Sequence, residues 1–71
     1  MKREEAIRRI RREAKRKNVE WHLDHEGGRH SIFRLGETMI PIPRHVELGE
    51  RFAEEIFKEC EGEFGTKWWR L

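Results

Sequence analysis

The chain has 71 residues, of which 42% are charged and only 35% hydrophobic, with a formal net charge of +2. A chain this short has room for one core and buries only about 60% of the surface its unfolded form exposes. No apolar run approaches the roughly 20 residues of a membrane-spanning helix, no N-terminal apolar stretch reads as a secretion signal, and the single Cys60 cannot form an internal disulfide. A reducing cytoplasm is the expected setting. The net charge is unevenly divided. Residues 1–18 hold nine Lys/Arg against three Glu, a balance of +6; the remaining residues hold seven against eleven, a balance of −4. A basic first element on a mildly acidic body suits a polyanion, or an acidic protein surface.

In chain order, residues 2–17 read as a helix. Ile7, Ile10 and Ala14 recur at helical spacing beside Ala6, a narrow apolar stripe that touches a core along one edge. Asn18 is a plausible stop, because it tolerates the left-handed conformation. Residues 19–25 alternate, with Val19, Trp21 and Leu23 on one face and Glu20, His22 and Asp24 on the other, which predicts a half-buried strand. Gly27-Gly28 breaks it. A second strand runs from His30 to Leu35, with Phe33 and Leu35 inward. Gly36-Glu37 suits a two-residue type II′ hairpin turn. Thr38 to Ile42 predicts a third strand with Ile40 and Ile42 inward, and Pro41 assigns it to a sheet edge or an outward position. Residues 43–49 connect to a second helix over 50–61, with Phe52, Ala53, Ile56, Phe57 and Cys60 on one face and Gly62 as its stop. The domain is expected to occupy residues 1–62, with 63–71 as a short tail.

The expected class is therefore α+β, in the order α-β-β-β-α. A three-stranded antiparallel sheet would carry two helices packed on one face and leave the other open. The same order occurs in double-stranded-RNA-binding domains, which this pattern resembles.

Four histidines stand at 22, 25, 30 and 45. In a regular strand positions 22 and 25 point to opposite faces, and no Cys pair or acidic cluster completes a tetrahedral set, so no metal or other cofactor is expected. His22 reads as a surface strand residue and His25 as a loop-edge residue. His30 follows a flexible Gly-Gly-Arg run and opens a strand, with Arg29 and Arg34 nearby. An accessible imidazole titrates near neutrality, at about 6.5 when unperturbed, and suits proton transfer in phosphodiester chemistry. Adjacent cations would stabilise charge developing on a phosphate. Arg44-His45 reads as a further phosphate contact or second proton-transfer group, or simply as a loop-to-helix junction. Trp68 and Trp69 stack on bases, fold back over an apolar edge, or dock on a partner.

The run Gly28-Arg29-His30-Ser31-Ile32-Phe33, then Ile40-Pro41-Ile42-Pro43-Arg44-His45, then a helix containing Ala53 and Ile56, resembles the HicA family of toxins over about residues 5–61. That resemblance implies a metal-independent mRNA interferase, an endoribonuclease of a type II toxin–antitoxin system, held inactive by a HicB-like antitoxin. It puts the essential histidine at His30. Gly28, Arg29, Arg34, Arg44 and His45 are the residues expected to contact single-stranded mRNA; neither DNA nor membrane binding is expected. This chain departs from the family in carrying Arg29 where many members have Ser or Asn, in its longer basic first helix, and in its tail. Two other readings remain: a non-catalytic RNA-binding module of the same fold, and a protein whose only relevant ligand is another protein.

Overall fold

The computed structural model describes residues 1–70. Helix α1 spans Arg3–Lys17, followed by strands β1 (Trp21–Glu26), β2 (His30–Leu35) and β3 (Thr38–Pro43). Helix α2 spans Glu50–Glu59, the short helix α3 spans Glu61–Phe64, and a 3-10 turn covers Trp68–Arg70. The strands form one antiparallel sheet in the order β1-β2-β3. The α+β class and the α-β-β-β-α order are as the sequence predicts.

Helix α1 buries the narrow stripe Ala6, Ile10 and Ala14 and leaves Ile7 half-buried. It ends at Asn18, in the left-handed conformation with φ 57°. The Val19 amide donates back to the Ala14 carbonyl at 2.8 Å, closing the helix in the manner of a Schellman motif. No side chain caps its N-terminus. The segment before the helix is tied instead to the connector between β3 and α2. The Arg3 amide donates to the Val46 carbonyl at 2.9 Å, and Met1 exchanges two hydrogen bonds with Leu48, each 2.8 Å.

Leu35, Ile40 and Ile42 line the covered face of the sheet and join the helical residues Ala6, Ile10, Ala14, Ala53, Ile56 and Phe57 in one core. The β2–β3 turn has Gly36 at φ +59° while Glu37 keeps a negative φ, the pattern of the expected type II′ turn. β3 is an edge strand, so Pro41 and Pro43 need not donate to a further neighbour.

Several expectations are corrected. Phe52 is not part of the buried face of α2: it is 44% exposed. It lies about a quarter-turn off the line through Ala53, Ile56 and Cys60, given 100° per residue. Leu23, read as inward, is 45% exposed, because the helical layer covers β2 and β3 and leaves β1 overhanging. Trp21 and Phe33 stack on one another at that margin, with centroids 4.6 Å apart. Gly62 does not end α2. The chain turns at Cys60 directly into α3, and Gly65, at φ +96°, provides the stop.

Residues 63–70 belong to the same core and are not an appendage. Phe64 and Trp68 are buried. Trp68 meets Phe57 and Phe64 edge to face at 5.2 and 4.8 Å, and its indole N–H donates to the Phe57 carbonyl at 2.7 Å. The Lys17 ammonium donates to the Phe64 carbonyl at 2.7 Å, and Glu63 accepts from the Glu37 amide and the Thr38 hydroxyl. Trp68 is thereby committed to packing and Trp69 is half-buried beside it. No helix among the described residues is long and apolar enough to cross a membrane.

Candidate functional site

The face of the sheet opposite the helices is open. Its residues follow from the pairing register, because directly opposed residues share a face. His22 opposes Arg34, which opposes Met39; His25 opposes Ile32, which opposes Pro41; His30 opposes Pro43. His22, His25, His30, Ile32 and Arg34 therefore share the open face. This overturns the expectation that His22 and His25 point apart. The register shifts between Leu23 and His25, so Asp24 is an extra residue in β1. Such a bulge breaks the two-residue alternation and resets the facing of everything after it.

His30 is half-buried at the start of β2. His25 sits on the neighbouring strand as its diagonal neighbour, a relation that separates two residues by about 7 Å in a regular antiparallel pair. The His25 Nδ1 lies 2.7 Å from the Asp24 carboxylate, and this contact holds the Asp24 carboxyl below the usual range. His22 lies 3.7 Å from Glu20. Three histidines thus share a face, yet among the described residues no three His, Cys, Asp or Glu side chains converge as a metal centre would require.

The turn that delivers His30 is clamped by four side chains. The Ser31 hydroxyl, buried on the core face, donates to Glu26 Oε1 at 2.8 Å and accepts from Arg3 Nη2 at 2.9 Å. Arg3 Nε donates to the Pro43 carbonyl at 2.8 Å. Arg44 donates to the same Glu26 oxygen through Nε and Nη2, at 3.0 and 2.8 Å. Its guanidinium also donates to the carbonyls of Gly27, Gly28 and His30. Arg44, then Ser31, hold the Glu26 carboxyl below its ordinary range. The Gly27 amide closes the turn on the His30 carbonyl at 2.8 Å.

The expected site residues separate accordingly. Arg29 is exposed in the turn, without a hydrogen bond or ion pair among the described residues. Gly28 is exposed, and a side chain there would meet open space. Arg44 is occupied as a backbone clamp under His30. Arg34 is two side-chain positions along β2 from His30, a backbone distance of about 13 Å, and its Nε donates to the Gly36 carbonyl at the far end of the strand, at 3.2 Å. The structure does not bring Arg34 to His30. His45 is exposed in the connector and makes no hydrogen bond among the described residues.

Two features escaped the sequence. Nothing in residues 21–26 marks Asp24 as a bulge. The clamp did leave a sign: Ser31 has core-facing parity with Phe33 and Leu35, and a buried hydroxyl requires partners. No family model matches the chain, and no curated protein and no solved structure matches it either.

Proposed function

We propose that the protein is a metal-independent endoribonuclease that cleaves single-stranded mRNA, a toxin of the HicA kind inhibited by a HicB-like antitoxin. The observation that supports it best is the pair His30 and His25, diagonal neighbours on an open sheet face beside the free Arg29. In this reading His30 takes the proton of a ribose 2′-hydroxyl. The 2′-oxygen bonds to the adjacent phosphorus, the bond to the 5′-oxygen breaks, and His25 gives that oxygen its proton. The products are a 2′,3′-cyclic phosphate and a 5′-hydroxyl, and DNA is spared because it lacks the nucleophile. Arg29 stabilises the charge that builds on the phosphate. Asp24 orients the His25 ring as a carboxylate partner does in other histidine-based sites. Arg44, Glu26, Ser31 and Arg3 hold the turn and do not meet RNA.

Expression in a bacterial host tests the biological role. Wild type is expected to arrest growth with loss of mRNA, and His30→Ala to leave growth unchanged; arrest by both variants contradicts the proposal. The role of His25 is tested with two substrates. His25→Ala is expected to lose about 10²–10³-fold on RNA and little on a nucleoside 3′-(p-nitrophenyl phosphate), whose leaving group needs no proton. Equal losses on both substrates would remove His25 from that role.

A second reading has its own support. Arg34 and Arg44 are engaged within the chain, which leaves His30 with fewer free cations than the sequence suggests. A non-catalytic RNA-binding module fits that arrangement. It predicts salt-sensitive RNA affinity, no cleavage products and no effect of His30→Ala on growth.

A further inference from the structure

Apart from Arg3, which helps to hold the turn at His30, the positive charge on α1 has no part in the site on the sheet. Two of the helix's three carboxylates are already committed; the third, Glu4, is exposed in the first turn and shares a small groove with Arg8 and Arg11. Glu5 pairs with Arg8 and Arg9, and Glu13 pairs with Arg16 and Lys17. After that pairing, Arg11, Arg12 and Lys15 have no carboxylate partner among the described residues. All three are exposed and lie on the half of the helix turned away from Ala6, Ile10 and Ala14, since they follow that stripe by the wrong multiples of 100° to reach the core.

The helix itself exposes no large hydrophobic residue on this face. The large hydrophobic residues left exposed are Leu23, Met39, Val46 and Phe52, none of them on α1. A protein partner would want buried aromatic or aliphatic contacts at the centre of its interface. A phosphate backbone asks only for cations and rewards the planar fork of arginine. A groove of about 680 Å³ runs along one flank of the helix, lined by Arg9, Arg12 and Arg16, by the paired Glu5 and Glu13, and by Trp68 and Trp69. At the N-terminal end a smaller groove of about 240 Å³ is lined by Lys2, Arg3, Glu4, Arg44 and Val46. Arg44 is the residue that donates to the His30 carbonyl. Arg3 and Arg44 spend their guanidinium groups on the clamp, so the cations left for a strand on this side of the molecule are those on the outer face of α1.

We infer that the outer face of α1 is a docking track for the sugar-phosphate backbone of a single-stranded RNA, separate from the site that holds His30. The inference rests on RNA being the ligand of the proposed function, and it extends that reading to where the strand runs. A helix of 15 residues is about 22 Å long, enough to follow several nucleotides. The track carries no sequence preference, because backbone contacts position a strand without reading its bases.

The test uses the full chain carrying His30→Ala, so that binding is measured without cleavage. Anisotropy of a labelled single-stranded RNA is followed across a salt series. Adding Arg11→Gln, Arg12→Gln and Lys15→Gln together is expected to weaken binding and to reduce the slope of log affinity against log salt by about 2, at about 0.7 per charge for single strands. Arg51→Gln with Lys58→Gln, on α2, is the control and is expected to leave the slope unchanged. An unchanged slope in the triple variant overturns the track. So does an equal effect of the control pair, which would reduce the result to net charge. Tighter binding of labelled polyglutamate than of RNA, at equal charge and salt, overturns it in favour of an acidic protein. The two proposals fail separately. A wild type that cleaves RNA while the triple variant keeps its slope refutes the track alone. A wild type that cleaves nothing while the triple variant loses its slope supports the track and refutes the nuclease.

Discussion

Glu26 concentrates three hydrogen bonds on one carboxylate oxygen, and its titration is the clearest handle on the site's geometry. Arg44, and secondarily Ser31, lower its pKa in the folded chain. A carboxyl lowered in this way adds stability above its unfolded pKa, and that contribution is lost as pH falls through the lower, folded value. Amide shifts of Gly27 and Gly28 are therefore expected to stay constant at neutral pH and to move below the ordinary glutamate range. In Glu26→Gln they are expected to be displaced already at neutral pH, and unchanged neutral shifts would remove Glu26 from the clamp. Cys60 gives a second residue-level expectation. Burial, reinforced by Glu59, pushes its thiol up to about 12, so iodoacetamide should leave it unmodified at neutral pH until the chain is unfolded. At this scale the sequence was informative about identity and poor about engagement. His30 at an accessible strand margin could be read from the residues around it. That Arg44 spends its guanidinium on three carbonyls could not, because those acceptors are backbone groups and leave no trace in side-chain pattern.

Secondary structure was legible wherever local chemistry decides it. Asn18 ends α1 because its short polar side chain tolerates a positive φ. Gly36-Glu37 is a type II′ turn because only glycine accepts the first central position without strain. Gly36→Ala would force a side chain into that φ of +59° and set its Cβ 2.6 Å from the Glu63 carboxylate, which holds the same turn. A loss of about 1–2 kcal/mol is expected in chemical denaturation, and a neutral result would contradict the assigned turn. Elements decided by distant contacts were not legible. The bulge at Asp24 is a property of how β1 meets β2. Its consequence is large, since one inserted residue sends His25 to the face of His30. The stop at Cys60 depends on Phe64 and Trp68 reaching the core, whereas Gly62 carries only a local preference.

The whole molecule is small enough that Phe64 and Trp68, near its C-terminal end, make up a large part of its core. Trp68 fills the space beside Phe57 and Phe64 and satisfies its own N–H there. Trp68→Ala is expected to cost about 3–5 kcal/mol, comparable with the total stability of a domain this size. Circular dichroism should show a largely unfolded variant, and a cooperative transition near that of wild type would contradict the packing described. The charge split is also a whole-molecule property. The basic end of the chain becomes the outer face of one helix, while the candidate nuclease site lies on the opposite layer and is linked to it through Arg3 and Arg44. The most direct measurement of the central claim is incubation of purified wild type and His30→Ala with matched RNA and DNA strands in EDTA. Wild type is expected to leave RNA fragments ending in 2′,3′-cyclic phosphate and to leave DNA intact, with His30→Ala inactive on both. RNA left whole by wild type, or cut equally by His30→Ala, would contradict it.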